Sequence, residues 1–344
     1  MRATMLYGAG DVRVEDVPDP RIEHPTDAVV RVLRAAVCGS DLHPYRSAPD
    51  GGPGRQMGHE FLGTVEDVGS EVAGLRRGDL VLSPFTYADN TCWWCRQGLQ
   101  TSCPDGGRYG FDGVDGGQGE AVRVPQADGT LVRLPVPVDE ALLPSLLTLT
   151  DVFCTGHHAA ATARVRPGTS VAVVGDGAVG LCAVLAAKRL GAEQVVLLGR
   201  HRDRTDLGVE FGATDVVLAS GDEGAEQVRK LTGGRGADAV LECVGSMQTL
   251  TTSFGAVRDG GVISRVGVPS YSDGPIGMDM IMRNITLTGG VDPARHYIDA
   301  ILPDVLEGRI RPGRVFDRTF PLEQTPDAYR AMADRRTLKA LITL

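Results

Sequence analysis

The sequence predicts an α/β protein of two domains, a β-rich domain built from both ends of the chain and a doubly wound parallel-sheet domain between them. Three observations carry this. The chain has 344 residues, past the size at which a single hydrophobic core stops growing. Up to about residue 135 it consists of short alternating runs broken by Gly, Pro and Asp, the pattern of an irregular β domain. From about residue 150 strand-like and helix-like runs follow one another in turn, which is how a parallel sheet with crossover helices reads.

Along the first region, AVVRVLRAAV, FLGTVEDVG and DLVLSPF are the clearest strands, and helical periodicity is scarce. SVAVVG, QVVLLG, DVVLA, DAVLECVG and GGVISRVGV are the expected strands of the parallel sheet, with AVGLCAVLAAKRLG and TDLGVEFG as helices. After residue 285, YIDAILPDVLEG reads as an amphipathic helix, VFDRTFPL as a strand, TPDAYRAMADR as a helix and LKALITL as a closing strand. This tail is expected to return to the first domain.

Composition narrows the function classes. Hydrophobic residues at 42% and charged residues at 23% are ordinary globular values and argue against a disordered chain. A total of 35 Lys and Arg against 44 Asp and Glu leaves a net charge of -9, which repels polyanions and argues against nucleic-acid and membrane-surface partners. The stretch MRATMLYGAGDVRVEDVPDP has no apolar signal core and no run reaches the length of a membrane span, so a cytoplasmic protein is expected. Seven cysteines, an odd number, read as ligands or buried thiols rather than a disulfide framework.

The run VAVVGDGAVGLCAVLAAKRLG places Gly175, Gly177 and Gly180 in G-x-G-x-x-G spacing between a strand and a helix, with Ala178 and Val179 among them. The first glycine suits a tight turn, the second lets backbone approach a pyrophosphate, and the third allows close helix-to-strand packing. The second strand ends on Gly199, where an NAD site ordinarily carries an acidic residue. Arg200, His201, Arg202 and Arg204 follow. A missing carboxylate and added cationic donors both predict NADP over NAD; the plainer alternative is a solvated basic turn.

VCGSDLHPY gathers Cys38, Ser40, Asp41 and His43, MGHE places His59 beside Glu60, and LTDVFCTGHHAA offers Asp151 and Cys154. Cys and His are donors of a catalytic zinc that keeps one position open. DNTCWWCRQGLQTSC adds Cys92, Cys95 and Cys103, one thiol fewer than a closed thiolate site takes.

In this order and spacing, CGSD, GHE, the cysteine loop, TDVFCTG, the glycine fingerprint and the C-terminal AY segment resemble a zinc-dependent medium-chain alcohol dehydrogenase over essentially the whole chain. The resemblance implies a GroES-like catalytic domain over residues 1–149, a Rossmann NAD(P)-binding domain over 150–286, and a return to the catalytic domain over 287–344. It also implies a homodimer or homotetramer acting on a small-molecule alcohol or carbonyl substrate.

The same resemblance implies a catalytic zinc on Cys38, His59 and Asp151, with Cys154 a neighbour and Glu60 either an exchanging fourth ligand or a support behind the metal. Zinc would act as a Lewis acid on the alcohol oxygen while the nicotinamide accepts hydride. Ser40 would take the proton and His43 pass it to solvent. Asp41 would orient a ligand, Phe85 line the pocket, and Trp93 or Trp94 approach substrate. Thr155, Val244, Gly245, Val266 and Val268 would run beside the nicotinamide. In the family's C-x2-C-x2-C-x7-C register the first ligand falls on Asp89, which implies a second, structural zinc on Asp89, Cys92, Cys95 and Cys103.

The expected activity is reversible hydride transfer between an alcohol and NADP, with NAD possible. A polyol or sugar-alcohol dehydrogenase of the same family, and a zinc-free quinone or enoyl reductase, stand as alternatives.

Overall fold

Strand Ala28–Ala36 organises the first of two compact units into which the computed structural model divides, Met1–Asp151 with Pro293–Leu344, and Val152–Asp292. Residues 1–111, 113–271 and 277–344 are described. The valines and alanines of AVVRVLRAA suit a pleated, largely buried position. The strand pairs antiparallel with Glu60–Val68, with Ala121–Val124 and with Ala340–Thr343. Leu80–Ser83 and Val132–Arg133 extend the sheet beyond Glu60–Val68, and Arg318–Pro321 extends it beyond Ala340–Thr343, giving seven strands.

Register at one end of this sheet positions the chemistry. Ala36 faces Glu60 across one strand pair and Leu341 across the other, so the chain around Cys38, the chain around His59 and the chain around Lys339 converge there. Val30, Val32, Phe61, Val65, Val122 and Ile342 form the core that fixes this register, each fully buried side chain of this size contributing roughly 1.5–3 kcal/mol. A one-residue slip would turn the inward set to solvent. The tail thus closes the first unit's sheet through its final strand.

In the second unit six parallel strands lie in the order Asp215–Val217, Gln194–Leu198, Ser170–Val174, Ala237–Glu242, Val257–Arg265, Thr286–Gly289. Near-continuous apolar runs such as SVAVV and QVVLL are what a sheet covered on both faces requires. Strand order reverses between Ser170–Val174 and Ala237–Glu242, the switch point where open α/β sheets bind ligands beyond the strand ends. Helices Ala178–Arg189 and Arg202–Glu210 follow the first two strands, as the sequence pattern indicates.

Helices of this unit that the alternation alone does not pick out include Val152–Thr162, Gly221–Leu231 and Met247–Ala256. The last begins with a capping box in which Ser246 and Thr249 each bond the other's backbone N–H, a signal present in the sequence. This compact unit runs to Asp292, and Thr286–Gly289 pairs with Val257–Arg265 as the sheet's edge strand. Among the described residues no helix is long and apolar enough to cross a membrane.

Candidate functional site

In the first unit, Cys38, His59, Glu60 and Asp151 each offer a ligand atom, and these atoms lie within 4.8 Å of one another. The group contains Asp151 and not Cys154. Asp151 Oδ2 lies 3.2 Å from both Cys38 Sγ and His59 Nε2. Asp41 braces the arrangement from behind: its Oδ2 accepts from the Cys38 N–H at 3.0 Å, and its Oδ1 lies 3.3 Å from His59 Nδ1. Gln118 donates to Asp41 Oδ2 at 3.3 Å and accepts from the Tyr329 hydroxyl at 2.9 Å. Phe85 stands edge-on to His59 with ring centroids 6.2 Å apart.

Burial, with the Asp151 and Glu60 carboxylates close by, pushes the Cys38 thiol up to about 12. Burial also opposes charge on His59, but Asp41 and Asp151 outweigh it and hold the imidazole well above its ordinary range. Asp151 is driven the other way, to about 2, because the His59 hydrogen bond and charge outweigh its burial. A divalent cation fits this donor set of soft thiol, imidazole and carboxylate. It also fits Glu60, whose Oε2 is buried without a hydrogen-bond partner among the described residues.

Glu60 Oε1 accepts instead from Lys339 Nζ at 2.6 Å, and both side chains are buried. Lys339 also donates to the Val37 carbonyl at 3.3 Å. Sequence reasoning passed over this lysine, although a lone cation in the otherwise apolar LKALITL is a visible signal. Ser40, half-buried, places Oγ 3.5 Å from His59 Nε2. His43 is exposed in the first turn of helix Leu42–Ser47, and no hydrogen bond joins its ring to Ser40 among the described residues.

The cysteine loop forms a second donor group, with the ligand atoms of Asp89, Cys92, Cys95 and Cys103 within 4.8 Å. Asp89 Oδ1 accepts from the N–H groups of Thr91 and Cys92 at 2.8 and 3.0 Å. Against a burial effect of opposite sign, these bonds hold its carboxyl at about 2. Burial, then Cys92 and Asp89, push the Cys95 thiol upward, so the loop too has the chemistry of a site completed by a cation. Trp93 and Trp94 stand on the short helix Trp93–Arg96, 63% and 44% exposed, packed edge to face on each other.

In the second unit the glycine turn follows strand Ser170–Val174. Gly175 has φ +121, and a side chain on Gly180 would run into the Gly175 carbonyl, so both need glycine for the chain's own packing. Gly177 differs, since a Cβ there would meet nothing within 4 Å. Gly177 caps helix Ala178–Arg189 without a side-chain hydrogen bond, which leaves open space at a helix N-terminus suited to a pyrophosphate. Ala178 and Val179, half-buried, begin that helix.

Val244 packs over the turn, its Cγ2 lying 2.6 Å from where a Gly175 Cβ would stand. The Val244 and Gly245 N–H groups bond Glu242 Oε1 at 2.9 and 2.8 Å, and the Val266 N–H bonds the Glu242 carbonyl at 2.9 Å. Val244 and Val268 are about half exposed at the strand ends. Thr155 is buried and its hydroxyl bonds Asp292 Oδ1 at 2.8 Å.

Gly199 has a packing explanation: a Cβ there would come 2.7 Å from both Asp176 Cβ and Thr205 Cγ2. The missing acid at the strand end is therefore enforced by Asp176 and says nothing by itself about the 2′ substituent. The case for NADP rests on Arg200, His201, Arg202 and Arg204.

Comparison with known proteins agrees with both units. Residues 24–136 match the family model of the alcohol dehydrogenase GroES-like domain, and residues 178–303 match that of the zinc-binding dehydrogenase. Zinc-type alcohol dehydrogenase B of Aspergillus flavus is 35% identical over 349 residues, covering 99% of this chain and 81% of that relative. The structure of alcohol dehydrogenase TADH from Thermus sp. ATN1 superposes with a TM-score of 0.93 at 36% identity, covering 100% and 99% of the two chains. A zinc-binding dehydrogenase from Sinorhizobium meliloti 1021, bound to NADP, superposes with a TM-score of 0.84 at 27% identity, covering 100% and 99%. The chain belongs to the zinc-dependent medium-chain alcohol dehydrogenase family and is an oxidoreductase of that family.

Proposed function

We propose that this protein transfers hydride reversibly between an alcohol and NADP, with Cys38, His59 and Asp151 holding the catalytic zinc. The observation that carries this reading is the donor group around Glu60, with Ser40 Oγ 3.5 Å from one of its ligand nitrogens. When bound, zinc supplies a Lewis-acid charge at the alcohol oxygen and the nicotinamide supplies the hydride acceptor.

The chain's own residues do the rest. Asp41 fixes the ring of His59 and the backbone at Cys38, so donors keep their geometry through turnover. Ser40 Oγ would accept the substrate hydroxyl proton as it gives up its own, and His43, exposed one turn further on, would release a proton to water. Arg200, His201, Arg202 and Arg204 supply the cations for a 2′-phosphate, in keeping with the NADP bound to the Sinorhizobium relative. Asp89, Cys92, Cys95 and Cys103 hold a second zinc that braces the loop.

Steady-state assays over a panel of alcohols and polyols, run in parallel with NADP and NAD, test the reading. A higher kcat/KM with NADP is expected, and a higher value with NAD would contradict the cofactor assignment. Ser40→Ala is expected to lower kcat by about 10²-fold with zinc retained, and unchanged kcat would remove Ser40 from the proton path.

A further inference from the structure

We propose that Asp176 sets the cofactor preference, acting as a positioning residue that fixes the Arg200–His201 turn for recognition of a 2′-phosphate. The inference rests on the NADP reading and names the group that makes it work. Asp176 lies inside the glycine fingerprint, between Gly175 and Gly177, and its side chain is 12% exposed. The carboxylate turns toward the end of the second strand. There its Oδ2 accepts from the Arg200 N–H at 2.6 Å, the His201 N–H at 2.8 Å and His201 Nδ1 at 2.9 Å. One oxygen atom thereby binds the glycine turn to a turn 24 residues away.

Three consequences follow from that placement. Position 199 has no room for a side chain, because a Cβ would stand 2.9 Å from Asp176 Oδ2 itself; an acid at the strand end and Asp176 exclude one another. The Arg200 and His201 N–H groups are consumed internally, so an incoming anion must be met by side chains. And the His201 ring is fixed through Nδ1, which leaves Nε2 as its nitrogen for a ligand, while Arg200, the preceding residue, is exposed.

A carboxylate near a phosphate site also repels. Here its charge is met by three N–H donors on one oxygen, two from the backbone and one from the His201 ring. Charge-assisted bonds of this kind are shorter and about twice as strong as neutral ones. The ordering of the turn therefore outweighs the repulsion, and removal of Asp176 frees the backbone of the turn that carries Arg200 and His201 together with the His201 ring.

Titration calorimetry with two cofactor fragments, 5′-AMP and 2′,5′-ADP, separates the possibilities without turnover. Wild type is expected to bind 2′,5′-ADP more tightly; equal affinities would overturn the NADP reading and this inference with it. Given that preference, Asp176→Ala is expected to weaken 2′,5′-ADP by about tenfold, the value of one charge-assisted hydrogen bond, and to leave 5′-AMP within about twofold. Asp176→Asn, whose amide oxygen still accepts from backbone N–H groups, is expected to fall between. His201→Ala is expected to weaken 2′,5′-ADP in wild type and to add little in the Asp176→Ala background. Tighter 2′,5′-ADP binding by Asp176→Ala would show that the carboxylate only repels. Equal weakening of both fragments, in the Asn variant as in the Ala variant, would show that it only braces the glycine turn.

Discussion

Lys339 Nζ lies 2.6 Å from Glu60 Oε1, with side-chain exposures of 2% and 0%. Removing one member of such a pair leaves the other as an uncompensated buried charge, at a cost of roughly 3–5 kcal/mol. Lys339→Met is expected to lose about that much in denaturant unfolding, and adding Glu60→Gln to recover most of it. A single-variant loss below about 1 kcal/mol would mean that Glu60 finds another partner.

The Asp89 group makes a separable prediction about metal. Asp89→Ala should release about one zinc per chain while the Cys38 group keeps its own, and Asp89→Cys should retain both. Metal analysis of the purified variants checks this. Loss of both ions, or of neither, would contradict the assignment of Asp89 as the first ligand of the loop.

Asp176 gives a pH dependence with a definite sign. Burial raises its carboxyl, but the N–H donors of His201 and Arg200 outweigh burial and hold it below the usual carboxylate range. A folded-state value below the unfolded one, about 3.9, contributes stability that is present above that pH and lost as pH falls through the folded value. The gap in melting temperature between wild type and Asp176→Asn should be widest near neutrality and narrow below about pH 4. A gap independent of pH would remove the charge from the account.

The sequence shows what repeats over short distances. SVAVVG followed by a helical run is local, as are CGSD, GHE and the cysteine spacing, so the two-part architecture and the members of the two side-chain clusters were legible in it. What was not legible joins distant segments. Lys339 reaches Glu60 across 279 positions, through a strand pair whose register no local pattern states. Gly199 looked like a missing acid, and only its contact with Asp176 shows that a side chain has no space there. Thr286–Gly289 was not legible for a similar reason, since it is a short edge strand with little periodicity of its own.

If the Cys38, His59 and Asp151 group holds a zinc, alcohol oxidation depends on that metal. Alcohol-dependent reduction of NADP, followed by nicotinamide absorbance before chelation, after chelation and after return of zinc, tests it most directly. Activity is expected to be lost with the metal and restored by zinc, with about one zinc per chain removed by Cys38→Ala. Undiminished turnover after complete metal removal, or reduction of quinones and enones in place of alcohol oxidation, would contradict it.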